Sequence, residues 1–81
     1  MKARVYVSFK KTVLDPQGQT IQHALNGLGH KLVTGVRQGK FFEIELAPGV
    51  EREPAVHEVE QIARDVLANP VMEDFQVEFF D

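Results

Sequence analysis

The sequence predicts an α+β fold in the order βαββαβ, and three observations carry the prediction. Two stretches repeat apolar residues at the helical spacing of three and four positions, at Ile21, Ala24, Leu25 and Leu28 and again from Val56 to Leu67. Three others alternate apolar and polar residues at every second position, and a fourth is rich in β-branched residues, both of which are strand patterns. Gly and Pro punctuate the intervals at Gly27 and Gly29, Gln38-Gly39, Pro48-Gly49 and Asn69-Pro70.

The first strand, Ala3 to Lys10, sets Val5, Val7 and Phe9 against Arg4, Tyr6, Ser8 and Lys10. The first helix follows Asp15, whose carboxylate can accept an orphan N–H of the first turn, and Pro16, whose fixed φ suits the first helical position. Gly27 and Gly29 stop it. Lys31 to Arg37 reads as the second strand, and Gln38-Gly39 as a tight turn into the third, where Phe42, Ile44 and Leu46 alternate with Phe41, Glu43 and Glu45. Pro54 opens the second helix, with Glu51, Glu53, Glu58 and Glu60 near its start, and Asn69-Pro70 closes it, Asn69 in a left-handed cap. In the fourth strand Phe75, Val77 and Phe79 alternate with Gln76, Glu78 and Phe80. Two right-handed crossovers with a hairpin between them define a ferredoxin-like sandwich, a four-stranded antiparallel sheet with two helices on one face. The first strand then lies between the third and fourth. Tyr6, Phe41 and Phe80 are left on the uncovered face, an apolar surface suited to self-association.

A chain of 81 residues is one domain, 1–81, and a domain of this size buries only about 60–65% of its unfolded surface. It contains no cysteine to staple the core and no run long enough for a signal peptide or a membrane span, so a cytoplasmic, self-associating protein is expected. The net charge of −3 is unevenly placed: seven basic residues face Asp15 alone up to Lys40, and eleven acids face two arginines beyond it. Strands of opposite sign paired in one sheet explain this without nucleic acid, with Arg4 and Lys10 opposing Glu43, Glu45 and Glu78.

Motifs for catalysis or cofactors are absent from the pattern. His23, His30 and His57 lack metal-ligand spacing. Gly35 to Lys40 has one residue too few between its glycines for a phosphate loop, and Gly27-Leu28-Gly29 ends a helix where a dinucleotide motif would open one. An RNA-binding module of the same element order is the main rival. Its stacking aromatics share the open face, whereas Phe41 and Phe42 are neighbours and point to opposite sides, beside Glu43 and Glu45, which repel phosphate. A small-molecule-binding module would use Asp15 to Gly18 as its ligand loop.

Three ordered blocks carry a family resemblance over essentially the whole chain. They are Leu14-Asp15-Pro16-Gln17-Gly18, Val36-Arg37 with Gly39-Lys40, and Leu67-Ala68-Asn69-Pro70-Val71 with Glu73-Asp74. In these the sequence resembles the PurS family, the small subunit of formylglycinamide ribonucleotide amidotransferase (phosphoribosylformylglycinamidine synthase) where that enzyme is split into three chains. Met72, in place of a β-branched residue, and Gln38, often apolar in relatives, are its departures.

The resemblance implies a non-catalytic chain in purine biosynthesis, bridging a glutaminase subunit that releases ammonia and a synthetase subunit that uses ATP to activate the amide oxygen of its substrate. Ammonia loose in neutral water is mostly protonated and has no lone pair to attack with, so an enclosed passage between the two sites is a physical need. ATP, Mg and glutamine belong to the partner chains, and this chain is expected to hold no cofactor or metal. A homodimer or homotetramer with no nucleic-acid or membrane partner is implied. Asp15, Pro16, Gln17, Gly18, Arg37, Gly39 and Lys40 are the candidate partner contacts, although capping alone can explain Asp15 and Pro16.

Overall fold

A computed structural model describes residues 1–80. Its order is β1 (Lys2–Phe9), α1 (Pro16–Gly27), β2 (Gly39–Glu45), α2 (Arg52–Ile62) continued by a wider turn over Ala63–Leu67, and β3 (Glu73–Phe80). The three strands form an antiparallel sheet in the order β2-β1-β3, so β1 is central as expected. Register follows the side-chain alternation: Val5 lies between Phe42 and Val77, and Ala3 between Ile44 and Phe79. On this face Ala3, Val5 and Val7 are fully buried with Val59 and Ala63 of the second helix. These few small side chains are the core.

The second helix lies along β3. Arg52 in its first turn stacks over Phe79, with 5.5 Å from guanidinium carbon to ring centroid, while Arg64, Ala68 and Phe75 border one depression near its other end. Its last turn widens, the Ala68 N–H reaching the Ala63 carbonyl at 2.9 Å, which turns both alanines into the core. The helix starts at Arg52, two residues before the expected Pro54, which sits within the first turn where a missing N–H costs nothing. Asn69 also departs from expectation. Among the described residues no non-glycine takes a positive φ; instead the Asn69 side-chain oxygen accepts from the Val71 N–H and its carbonyl accepts from Met72 and Glu73.

The expected second strand is not formed. Lys31 and Leu32 lie in a turn and Val33 to Arg37 has no strand partner; the segment runs back beside α1, with the Asn26 amide donating to the carbonyls of His30 and Val33. Its β-branched residues suit a sheet, but β-propensity expresses packing against a neighbouring strand, and no described strand lies beside them. Gln38-Gly39 accordingly makes no tight turn; Gly39 already pairs with Ser8 as the first residue of β2. The architecture is thus α+β with three strands and two helices. Helix α1 and the returning segment form an arm that projects beyond the sheet, giving extents of 51 × 27 × 14 Å and a radius of gyration of 16.3 Å, against about 12 Å for a compact chain of this length. The apolar stripe of α1, expected to pack on the sheet, is therefore largely in solvent: Ile21, Ala24 and Leu28 are exposed and Leu25 is half-buried.

Candidate functional site at the base of the arm

Where the arm leaves the sheet, residues from two distant blocks converge. Asp15 caps α1 as expected, its Oδ1 accepting the Gly18 N–H at 3.0 Å. Its Oδ2 accepts the Gln38 N–H at 2.7 Å, so one buried carboxylate satisfies donors at both ends of the arm. The Gln38 N–H, and then that of Gly18, hold the carboxyl below its usual range. Gly18 is buried because the returning chain crosses it: a Cβ there would stand 2.2 Å from the Val36 carbonyl oxygen. Gln17 and Gln38 join side chain to side chain beside this crossing.

Arg37 completes the base. Its Nη2 donates to the carbonyls of Lys10 at 2.8 Å and Phe9 at 3.1 Å, with a longer contact of 3.4 Å to Val13. Phe9 ends β1 and Lys10 and Val13 follow it, the Lys10 carbonyl also accepting the Val13 N–H at 2.9 Å, so the guanidinium ties the outgoing chain to the incoming one. Gly39 lies tight on β1, an added Cβ meeting the Val7 carbonyl oxygen at 2.8 Å. Lys40 extends over the Phe42 ring, 5.9 Å from its centroid, with its ammonium 4.0 Å from Glu73 and exposed to solvent. Of the seven sequence candidates, Asp15, Gln17, Gly18, Arg37 and Gly39 belong to this one knot. Pro16 is exposed at the first helical position and Lys40 sits just inside β2. Gln38 was not among the candidates, yet it donates through both backbone and side chain; its position between two motif pairs was the available signal.

The opposite, uncovered face of the sheet carries the expected aromatic surface. Tyr6 and Phe41 pair across strands with centroids 6.1 Å apart, and Arg4 bridges Phe41 and Phe80 at 5.9 and 5.0 Å while pairing with Glu43 at 3.1 Å. The Tyr6 and Glu43 side chains raise the Arg4 pKa above its usual value. Lys10 pairs with Asp74 at 2.9 Å rather than with Glu43, Glu45 or Glu78. The described residues contain no cluster of three or more potential metal ligands, and no described helix is long and apolar enough to cross a membrane.

Asp15 is occupied by backbone donors and Arg37 by backbone carbonyls, so both polar groups hold shape. With an aromatic open face and a projecting arm, the fold and surface define a small α+β binding domain. The chain belongs to the PurS family: residues 2–81 match the family model described as PurS, phosphoribosylformylglycinamidine (FGAM) synthase. The phosphoribosylformylglycinamidine synthase subunit PurS of Methanocaldococcus jannaschii is 42% identical over 76 residues, covering 94% of this chain and 90% of that one. The Bacillus subtilis protein of the same name is 42% identical over 77 residues, covering 95% and 89%. Among solved structures, Bacillus subtilis PurS superposes with a TM-score of 0.83 at 38% identity, covering 99% of this chain and 98% of that one. A chain in the structure of PurLQS from Thermotoga maritima gives 0.85 at 30% identity, covering 95% and 93%.

Proposed function

We propose that this chain is the non-catalytic small subunit of a three-chain phosphoribosylformylglycinamidine synthase, acting in the cytoplasm as an oligomer that bridges the glutaminase and synthetase subunits. The observation that carries the reading is the full-length likeness to a chain of the Thermotoga maritima PurLQS structure, a protein solved together with its partners. The arm base supports it, since its polar groups are spent on shape and leave binding as the remaining task. In this reading ATP, Mg and glutamine are handled by the larger chains, and this subunit supplies geometry and enclosure for ammonia. Asp15, Pro16, Gln17, Gly18, Arg37, Gly39 and Lys40 form a partner-facing patch at the arm base, with Lys40 the most available cation among them. A complete ferredoxin-like layer, with a fourth strand and a second covering helix, belongs to the assembled state.

Reconstitution tests this. The synthetase and glutaminase chains should turn over glutamine into amidine only when this chain is added, and high ammonium at alkaline pH should bypass the glutaminase side of the requirement. Equal glutamine-dependent turnover without this chain would refute the bridging role.

A further inference from the structure

At the end of the sheet nearest the arm, the uncovered face runs short of side chains. Register sets the rows: Glu43, Arg4 and Glu78 lie abreast, then Phe41, Tyr6 and Gln76, and then Gly39, Ser8 and Asp74. The last row has no side chain at Gly39 and only a hydroxymethyl at Ser8. An open depression of about 430 Å³ results, bordered by Tyr6 and Gln76 of the preceding row and by Lys11 and Arg37 from the chain after β1 and before β2. Gly39 must stay bare, because an added Cβ would meet the Val7 carbonyl oxygen at 2.8 Å and the Ser8 Cβ at 3.3 Å. The charge around it is one-sided. Asp74 is the carboxylate on the rim, and Lys10 neutralises it at 2.9 Å. Among the described residues Lys11 has no ion-pair partner. Arg37 is fixed through Nη2 to neutral carbonyls, which leaves its charge uncompensated and the hydrogens of Nη1 and Nε to give. Pairing across strands thus accounts for Arg4, Lys10 and Lys40 in the basic half of the sequence, and it leaves Lys11 and Arg37 over.

We propose that this depression binds a small phosphomonoester. Such an ester is mostly dianionic above its second pKa of about 6 and carries three strong acceptor oxygens, which matches two cations beside the hydroxyls of Ser8 and Tyr6. Arg37 offers a planar donor edge that the backbone already holds in place, so little side-chain freedom is lost on binding, and its fork suits phosphate oxygens. Lys11 adds a point charge. The depression falls within the span of small-molecule sites, about 300–1,000 Å³, and exceeds what phosphate alone fills. The Tyr6 ring and the Gln76 amide line the part left for the organic group. The Asp15 to Gly18 loop is a poorer ligand site, since the Asp15 carboxylate is spent on the Gly18 and Gln38 N–H groups. Binding here is a property of the single chain, so its absence leaves the reading as a bridging subunit standing.

Titration of the full chain by amide NMR tests this, at about pH 7.5, where the ester is a dianion. Glycerol 3-phosphate is the probe, with inorganic sulfate and glycerol in parallel. Amide shifts at Ser8, Lys11, Arg37, Gly39 and Gln76 should saturate with a Kd of about 1 mM or tighter, and glycerol should move none of them. Lys11→Glu alters an exposed side chain, so it should melt like wild type while weakening binding about tenfold or more. Lys31→Glu makes the same charge change beyond the far end of α1. Twelve helical residues, about 18 Å, separate it from the base, more than the Debye length of about 8 Å, so binding should change less than about twofold. No saturation below about 10 mM, or a Lys11→Glu protein that binds like Lys31→Glu, would overturn the proposal. Sulfate binding as tightly as the ester would also overturn it, by marking a counterion site only.

Discussion

The Asp15 carboxylate accepts the Gln38 N–H at 2.7 Å across 23 positions of sequence, while its other oxygen caps α1. A side chain that looks like an ordinary helix cap is therefore also the fastening between the two ends of the arm. Removing it leaves one buried and one part-buried N–H group without a protein acceptor, a larger loss than an exposed cap. Asp15→Ala should lower the melting temperature by about 5 °C or more, with Asp15→Asn intermediate because it keeps one acceptor. Calorimetry of the three proteins at neutral pH checks the order.

The same carboxylate gives a pH signature. Its folded pKa lies below the usual value, so its stabilisation is present above about pH 4 and is lost as the pH falls through the folded pKa. The melting-temperature gap between wild type and Asp15→Asn should be widest near neutral pH and narrow below pH 4. A gap that stays constant down to pH 2 would show that the charge contributes nothing.

Gly18 offers a steric test. A methyl group at this position meets the Val36 carbonyl at 2.2 Å and the Asp15 carboxylate at 2.9 Å, so backbone must move. Gly18→Ala should cost about 1–3 kcal/mol although alanine favours helix. Gly27→Ala, where a Cβ meets nothing within 4 Å, is the control and should be neutral or stabilising in urea titration.

The strands that pair were legible because Val5, Val7, Phe42, Ile44, Val77 and Phe79 obey a two-residue period whose register a sheet must respect. The cap at Asp15 and the stop at Gly29, whose φ is +102°, were legible for the same local reason. The segment 31–37 was not. Its composition states a preference for a sheet, but no local rule says whether a strand will lie beside it, or whether Gln38-Gly39 makes a hairpin turn or simply leads into β2. The site residues were legible as blocks. Their roles were not, since Arg37 reads as an exposed charge until the carbonyls of Phe9 and Lys10 are seen beneath it.

The uncovered sheet face makes a separate prediction. Phe41 is 60% exposed and packs against Tyr6 and Arg4, so Phe41→Ser should barely change the melting temperature. It should nonetheless weaken self-association at high micromolar concentration, because an exposed aromatic centre with a polar rim is the usual core of such contacts. Sedimentation equilibrium of wild type and variant compares them.

The last prediction separates two residues that the sequence groups together. Arg37 is tied to backbone carbonyls, so Arg37→Ala should destabilise the isolated chain by about 1 kcal/mol, the charge-assisted bonds being discounted for exposure. Arg37→Lys should recover only part of this, because a single ammonium lacks the planar fork. Lys40 is held only by a 4.0 Å approach to Glu73 and by the Phe42 ring, so Lys40→Ala should melt like wild type. In reconstitution with the two larger chains the order reverses for binding. Lys40→Ala should weaken assembly through a lost charged contact, with a stronger effect at low salt, while Arg37→Ala should weaken it only as far as the loosened arm base allows. Glutamine-dependent amidine formation titrated with each variant reads this out, and a Lys40→Ala protein that assembles and turns over like wild type would remove the arm base from the partner contact.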